Sequence, residues 1–340
     1  MKTLLFLNSA EGSQYGIEDG FTALLDKGTI TELKWFYFED YSKKNSVEKT
    51  LEKMYSEAKE FNPELIVLFH VGRFPINESF ITNLKKLKSK PIIAYDEGDM
   101  YGGWSKPITN SMKLIFKYAD VISIRGLGKW YNTVKKYNKN IIYTPHSNSL
   151  YRYTKDIKIN TLKKHKIIFV GNRIKSRLGR IRRLPGAYGR EKFVNKISYN
   201  FINDFKLNGK GWENLIGNQG KLDFIEQSEL YSNSLIHLSY EHYPSIPYYF
   251  SDRLPIALAS GQIYVCHFHE GYDKMFKDCD FIYFFQNENE AIDIINYLNS
   301  LNIKELILKS MRAKEWADNN LSPIIVWSNF YNQIIEKAQK

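Results

Sequence analysis

Short runs of continuous apolar residues alternate with amphipathic stretches along most of this chain, and the pattern runs through twice. In the first half the runs are Leu4–Leu7, Leu33–Phe38, Leu65–Phe69, Ile92–Tyr95, Val121–Ile124 and Ile141–Tyr143. Strands apolar on both faces must be covered on both, which a parallel sheet flanked by helices achieves. Between the runs lie helical patterns such as Val47–Phe61, with Leu51, Met54, Tyr55 and Ala58 at helical spacing, and Ile81–Leu87. A polar stretch, 151–164, reads as a linker. A second series follows: strands Lys166–Val170, Phe201–Phe205, Leu235–Leu238, Ile263–Cys266 and Phe281–Phe285, with helices Glu191–Ile197, Phe224–Tyr231, Arg253–Ala259 and Glu290–Leu298. The tail Ile324–Lys340 is helical, with Trp327, Phe330, Ile334 and Ile335 on one stripe. The 340 residues suit two domains of about 150 each. The reading is therefore α/β, with two Rossmann-like domains at 1–150 and 165–322, a cleft between them and a closing helix at 323–340. Ligands of such sheets bind beyond the carboxyl ends of the strands, so the informative residues follow strands.

Composition excludes several classes. Two cysteines, Cys266 and Cys279, give neither a disulfide framework nor a Cys-rich metal site, and a reducing cytoplasm fits them. The apolar start at Leu4–Leu7 is too short for a secretory signal and reads as a first strand. No run approaches the ~18 apolar residues of a membrane span. Charge is concentrated: from Lys163 to Lys196 there are twelve Lys/Arg against one acid, Glu191, so this block alone accounts for the net +11. It is either a solvated basic loop or a site for a diphosphate, an anionic acceptor or membrane surface, or nucleic acid. No recognised nucleic-acid motif accompanies it, so nucleic acid is not expected as a partner.

The stretch from Ser251 to Gly261, followed by the apolar strand Ile263–Cys266, carries the sharpest local signal. Arg253 heads a short apolar helix, Ser251 and Asp252 stand where caps belong, and Gly261 can turn the chain back into the sheet. The partial positive charge of a helix start and a full arginine charge together suit a diphosphate. A plain helix–strand unit with a surface arginine is the simpler alternative. After the strand Lys166–Val170, Gly171 permits close approach, Asn172 both donates and accepts, and Arg173 suits phosphate. Arg190 and Lys192 open the next helix within reach of the same anion, or belong to the exposed basic face. Glu241 ends a strand where a sugar would lie. Tyr249, in an aromatic loop stiffened by Pro244 and Pro247, offers a ring to stack on a base.

Arg253-Leu-Pro-Ile-Ala-Leu-Ala-Ser-Gly261 resembles the R-x-F-E-A-x-A-C-G segment of group 1 glycosyltransferases, particularly the spore-maturation-protein type. Lys166-Ile-Ile-Phe-Val-Gly-Asn-Arg173 resembles the opening strand of that group's C-terminal domain. Gly189-Arg-Glu-Lys192, Asn208-Gly-Lys-Gly-Trp212 and Ser234-Leu-Ile-His-Leu-Ser239 fall between in the expected order. The resemblance covers 160–300 well and 60–150 more loosely. It implies a GT-B architecture whose last helix packs back onto the first domain. It also implies transfer from a nucleotide diphosphate sugar, the donor held by the second domain and the acceptor by the first. One position departs from the pattern: Ile256 stands where the family has a glutamate that helps hold the donor, and its partner position is Tyr248.

Charge developing on a leaving diphosphate must be stabilised by a metal or by fixed cations. The chain offers arginines and no convincing Asp-x-Asp motif, so a metal-independent hexosyl transfer is expected, with no cofactor besides the donor itself. The resemblance implies retention of configuration. Asp96, after a strand on the acceptor side, is a candidate base should the reaction invert. His146, in Pro145-His-Ser147 at the domain junction, is the second catalytic candidate, with a hinge histidine as its alternative; His70 is similar. The acceptor would be a glycan, a lipid-linked glycan or a protein side chain, met in the cytoplasm or at an anionic membrane face. A non-catalytic binding protein of the same fold is the competing reading, and Ile256 is its motive.

Overall fold

The computed structural model describes residues 1–9, 12–101, 103, 106–149, 165–174 and 184–339. The expected linker at 151–164 and the basic residues Lys163, Lys164 and 175–183 lie outside the described residues. The chain forms two compact units, one made of Met1–His146 with Pro323–Lys340, the other of Ser147–Ser322.

The first unit holds a six-stranded sheet: β1 (Lys2–Leu7), β2 (Glu32–Tyr37), β3 (Leu65–Phe69), β4 (Ile92–Glu97), β5 (Val121–Ile124) and β6 (Ile141–Tyr143), in the order β2-β1-β3-β4-β5-β6. Every pairing is parallel. The second unit holds five strands, β7 (His165–Val170), β8 (Phe205–Asn208), β9 (Ser234–Ser239), β10 (Ile263–His267) and β11 (Ile282–Phe285), in the order β11-β10-β9-β7-β8, again all parallel. Read from β8, this is the same winding as the first sheet without its last strand. In each unit the first and third strands are neighbours and the second lies outside them. That places the reversal of strand order, where ligands of such sheets bind, at β1/β3 and at β7/β9.

Local chemistry accounts for the helices. Ser46 caps Val47–Phe61 by accepting from the Lys49 N–H at 3.2 Å, and left-handed Asn62 ends it. Capping boxes open Phe224–Ser232 and Ile303–Leu321. The sheets form the buried centre of each unit, with Leu4–Leu7 and Leu65–Leu68 inaccessible in the first and Ile167, Leu207, Leu238 and Val265 inaccessible in the second. Pro323–Ala338 belongs to the first unit and packs along Tyr15–Asp26. Among the described residues no helix is long and apolar enough to cross a membrane.

Two strand expectations need correction. The strand expected at Phe201–Phe205 begins only at Phe205, because the helix Ala187–Asn200 runs longer and 201–204 forms the returning turn. Phe201 is apolar because it packs on the second core, not because it is in a strand. Phe38, expected to end a strand, starts the short helix Phe38–Ser42.

Candidate active site

In the second unit, four strand-end segments meet at the β7/β9 reversal. Gly171 leaves β7 and donates to the Asn208 carbonyl at 2.9 Å, while its own carbonyl accepts from Trp212 Nε1 at 2.7 Å. Asn172 Oδ1 accepts from the Lys210 N–H at 2.8 Å, so this side chain ties the β7 and β8 turns together. Gly209 is left-handed, with φ of +145°, and a Cβ there would stand 2.3 Å from the Gly171 carbonyl oxygen. The two turns are that close.

Two arginines converge on this point. Arg190, from Ala187–Asn200, is 2% exposed. Its Nε donates to the Tyr240 carbonyl at 2.6 Å, and its Nη1 to the Asn172 carbonyl at 3.3 Å and to His242 Nε2 at 2.6 Å. Arg253 Nη2 donates to Glu241 Oε2 at 2.6 Å, and Glu241 Oε1 accepts from Ser251 Oγ at 2.8 Å and Ser239 Oγ at 3.1 Å. A Cβ on Gly171 would lie 3.5 Å from Arg253 Nη1 and 3.6 Å from Arg190 Nη1. Both guanidinium groups therefore reach the Gly171 turn.

Positive charge gathers at this point. Arg253 has both Glu241 and its neighbour Asp252 to offset its charge, whereas the bonds of buried Arg190 among the described residues go to two carbonyls and His242. Burial raises the pKa of Glu241, but Arg253, Arg190 and the Ser251 hydroxyl outweigh it and bring it down to about 2. Burial and Arg253 push Arg190 down to about 9, so it keeps its charge at neutral pH. His242, driven down to about 3 by burial and then by the two arginines, stays neutral and can accept from Arg190. Among the described residues, Arg190 Nη2 and Arg253 Nε are buried donors without a hydrogen-bond partner. Buried guanidinium N–H groups left without a partner suit an anionic acceptor.

The first unit places a different cluster beyond β3 and β4. The register that pairs Phe69 with Asp96 sets His70 beside Glu97. His70 Nδ1 lies 2.5 Å from Glu97 Oε1, and Glu97, fully buried, also accepts from the Tyr95 hydroxyl and from the Asp99 N–H at 2.9 Å. His70 Nε2 is 3.7 Å from Asp99 Oδ2, and Lys106 Nζ bonds that carboxylate. Asp96, one residue earlier on β4, faces the other way. Both its oxygens engage buried Arg125, at 2.6 and 2.5 Å, and Ser123 Oγ adds a bond of 2.6 Å.

Residues 182–320 match a family model described as glycosyl transferase-like. No curated protein sequence matches the chain. HepE from Anabaena, solved in complex with UDP and glucose, superposes with a TM-score of 0.61 at 11% identity, covering 98% of this chain and 99% of that one. A glycosyltransferase from Rickettsia africae gives 0.59 at 13% identity, over 100% and 99% of the two chains. AviGT4, a glycosyltransferase involved in avilamycin A biosynthesis, gives 0.61 at 10% identity, over 100% and 98%. The chain has the GT-B fold of glycosyltransferases. Its second unit carries the family match.

Within this GT-B chain the expected residues separate by position. Gly171, Arg190, Glu241, Ser251 and Arg253 come together at one point, with Asn172 bracing the turn behind it. Arg173 pairs with Glu191, its Nε left without a partner among the described residues, and Lys192 pairs with Glu288 at 2.8 Å. Ser251 and Asp252 do not cap Arg253–Ala259 through their side chains: Asp252 is itself helical (φ −52°, ψ −22°), and Ser251 gives its hydroxyl to Glu241. Tyr249 is buried, with its ring against Tyr243 and His269, and serves packing. His146 is half-buried beside Gly98. Asp96, expected as a catalytic carboxylate, is buried in its ion pair with Arg125, with both oxygens taken. The same strand ends carry His242 next to Glu241 and Glu97 next to Asp96. Strand alternation was the available signal for Glu97, because it puts residues 95 and 97 on the face opposite residue 96. Among the described residues, no group of three or more His, Cys, Asp or Glu could hold a metal ion.

Proposed function

We propose that this protein is a glycosyltransferase that takes a hexosyl group from a nucleotide diphosphate sugar, with the diphosphate bound at Arg190 and Arg253. The observation that carries this reading is the convergence of buried Arg190 and half-buried Arg253 beside Glu241, each with an N–H donor that has no partner among the described residues. Binding there would place the leaving diphosphate against fixed positive charge, which stabilises it most as the glycosidic bond breaks. The arginines would serve in place of a metal. The UDP and glucose bound to the Anabaena neighbour support a uridine nucleotide as the first donor to try. The acceptor, a glycan, lipid-linked glycan or protein side chain, falls to the first unit on this reading, and retention of configuration follows the group 1, spore-maturation-protein resemblance. A cytoplasmic enzyme with its basic segment toward an anionic membrane face completes the proposal.

Ile256 favours a second reading, a non-catalytic nucleotide-sugar or glycan binding protein of the same fold, because the resembled family uses a glutamate there to hold the donor. A thermal-shift panel of nucleotide diphosphates and nucleotide sugars tests the shared premise. A ligand of the folded state raises Tm by mass action, by about 2.7 kcal/mol of stabilisation at a hundred times Kd. One nucleotide should shift the wild type selectively, and R253A/E241Q, which removes the arginine without stranding its carboxylate, should abolish that shift. No shift with any nucleotide at millimolar concentration would remove the donor assignment. Release of free sugar or transfer product then separates the enzyme from the binding protein.

A further inference from the structure

The helix Ala187–Asn200 buries Arg190 on one side and carries a different chemistry on the other. Tyr188, Lys192, Lys196 and Tyr199, at intervals of four, four and three residues, form one outward row. The two tyrosines are 67% and 63% exposed, more than any other large hydrophobic side chain among the described residues. The helix Glu288–Ser300 of the same unit packs against this one. Between them opens a groove of about 430 Å³, lined by Lys192, Asn195, Lys196, Tyr199, Glu288 and Asn289. That volume lies within the range of small-molecule sites, about 300–1,000 Å³.

The groove's polar groups are largely unspent. Lys192 Nζ donates to Glu288 Oε2 at 2.8 Å and joins the two walls. Among the described residues, the side-chain amides of Asn195 and Asn289 make no hydrogen bond, Lys196 has no acid partner and the Tyr199 ring meets no other ring. The lining therefore offers one flat ring, two amides that both donate and accept, and an ion pair with capacity left on both partners. A pyranose presents the complement, a flat C–H face and a rim of hydroxyls. A phosphate does not fit as well, because one unpaired ammonium stands beside the Glu288 carboxylate.

We propose that this groove is a carbohydrate-binding site, on the side of the helix away from Arg190, that holds a neutral glycan chain with one sugar ring stacked on Tyr199 and its hydroxyls bonded to Asn195 and Asn289. The role of the site rests on the transferase reading above: a glycan held here stays at high effective concentration around its enzyme, which favours a glycan over a protein side chain as the acceptor. The binding itself needs no donor.

The experiment is calorimetric titration of the full chain with maltoheptaose, cellohexaose and chitohexaose, without nucleotide, and separately with UDP, for wild type, Y199A, Y199F and N195A/N289A. Co-sedimentation with phosphatidylglycerol vesicles runs alongside. All three positions are exposed or half-buried, so the variants keep the fold. At least one oligosaccharide should bind the wild type. Y199A should weaken that binding about 10-fold, as loss of a stacking contact does, and Y199F should stay within about 2-fold of wild type because the ring does the stacking. N195A/N289A should also weaken it, and UDP affinity should be equal in all four proteins. No binding of any of the three oligosaccharides, or binding that Y199A leaves unchanged, would overturn the carbohydrate site while leaving the donor site standing. Vesicle binding that Y199A abolishes would assign the face to an anionic bilayer and overturn it as well. Oligosaccharide binding without UDP binding in the wild type would instead uphold the groove and remove the donor reading.

Discussion

Glu241 shows how much one residue depends on its neighbours. A carboxylate this buried would ordinarily protonate, yet Arg253, Arg190 and two serine hydroxyls hold it ionised, with its pKa brought from 4.5 down to about 2. A pKa lowered on folding contributes stability above the unfolded value, and that contribution fades as pH falls from about 4.5 towards 2. The size is about 3 kcal/mol for a shift of this order. Wild-type unfolding free energy should therefore drop across that window, and E241Q should be less stable than wild type at pH 7 by a margin that narrows below pH 4.5. Urea unfolding at pH 7 and pH 3 measures both, and an equal gap at the two pH values would refute the coupling. Arg253 was legible because an arginine at a helix start before a strand is a local pattern. The Glu241 contacts were not, since residues 239, 241, 251 and 253 meet only after β9 and the Arg253–Ala259 helix are packed.

Among the elements, the helix Ala187–Asn200 decides whether Arg190 reaches the site. The sequence pattern placed the helix at Glu191–Ile197, with Arg190 at its opening, because Gly186 and Gly189 weaken the helical signal. The helix in fact begins at Ala187, so Arg190 lies a turn inside, where its side chain is buried. The glycines are there for contact. A Cβ on Gly186 would stand 2.2 Å from the Glu241 carbonyl oxygen and 3.1 Å from the His242 carbonyl carbon, both backbone atoms that cannot swing aside. Gly186 also donates to the His242 carbonyl at 2.8 Å. Gly186→Ala should push the helix off the end of β9, costing about 1–3 kcal/mol as an overpacked contact does. Losing the Arg190 bonds to Tyr240 and His242 should weaken UDP binding by at least about 10-fold, one fork of charge-assisted bonds. Calorimetric titration of folded G186A with UDP reads this directly, and wild-type affinity there would show that Arg190 does not bind the diphosphate. Strands gave a clearer sequence signal than helix ends: β3, β5 and β6 match the apolar runs residue for residue, since their burial on both faces leaves the composition no latitude.

For the whole molecule, the return of the chain at Pro323 makes the first unit depend on the last residues of the sequence. The tail's helical stripe was plain from Trp327, Phe330 and Ile334, but its partner Tyr15–Asp26 was not, because Gly20 interrupts that helix where a stronger helix former would be expected. The glycine is explained by the tail: a Cβ at position 20 would sit 2.1 Å from Trp327 Cδ1. Trp327 is buried, with its ring 5.5 Å from both Phe21 and Phe69. Trp327→Ala should cost the first unit about 3–5 kcal/mol, the usual range for emptying a buried aromatic site. The proposed anion site is built wholly from residues of the second unit, so its binding should survive. If the two units unfold separately, a calorimetric scan resolves two transitions, and W327A lowers one while UDP raises the other. Joint movement of both transitions on either change would mean that the units unfold as one cooperative body, and would spread the cost of W327A to the donor site as well.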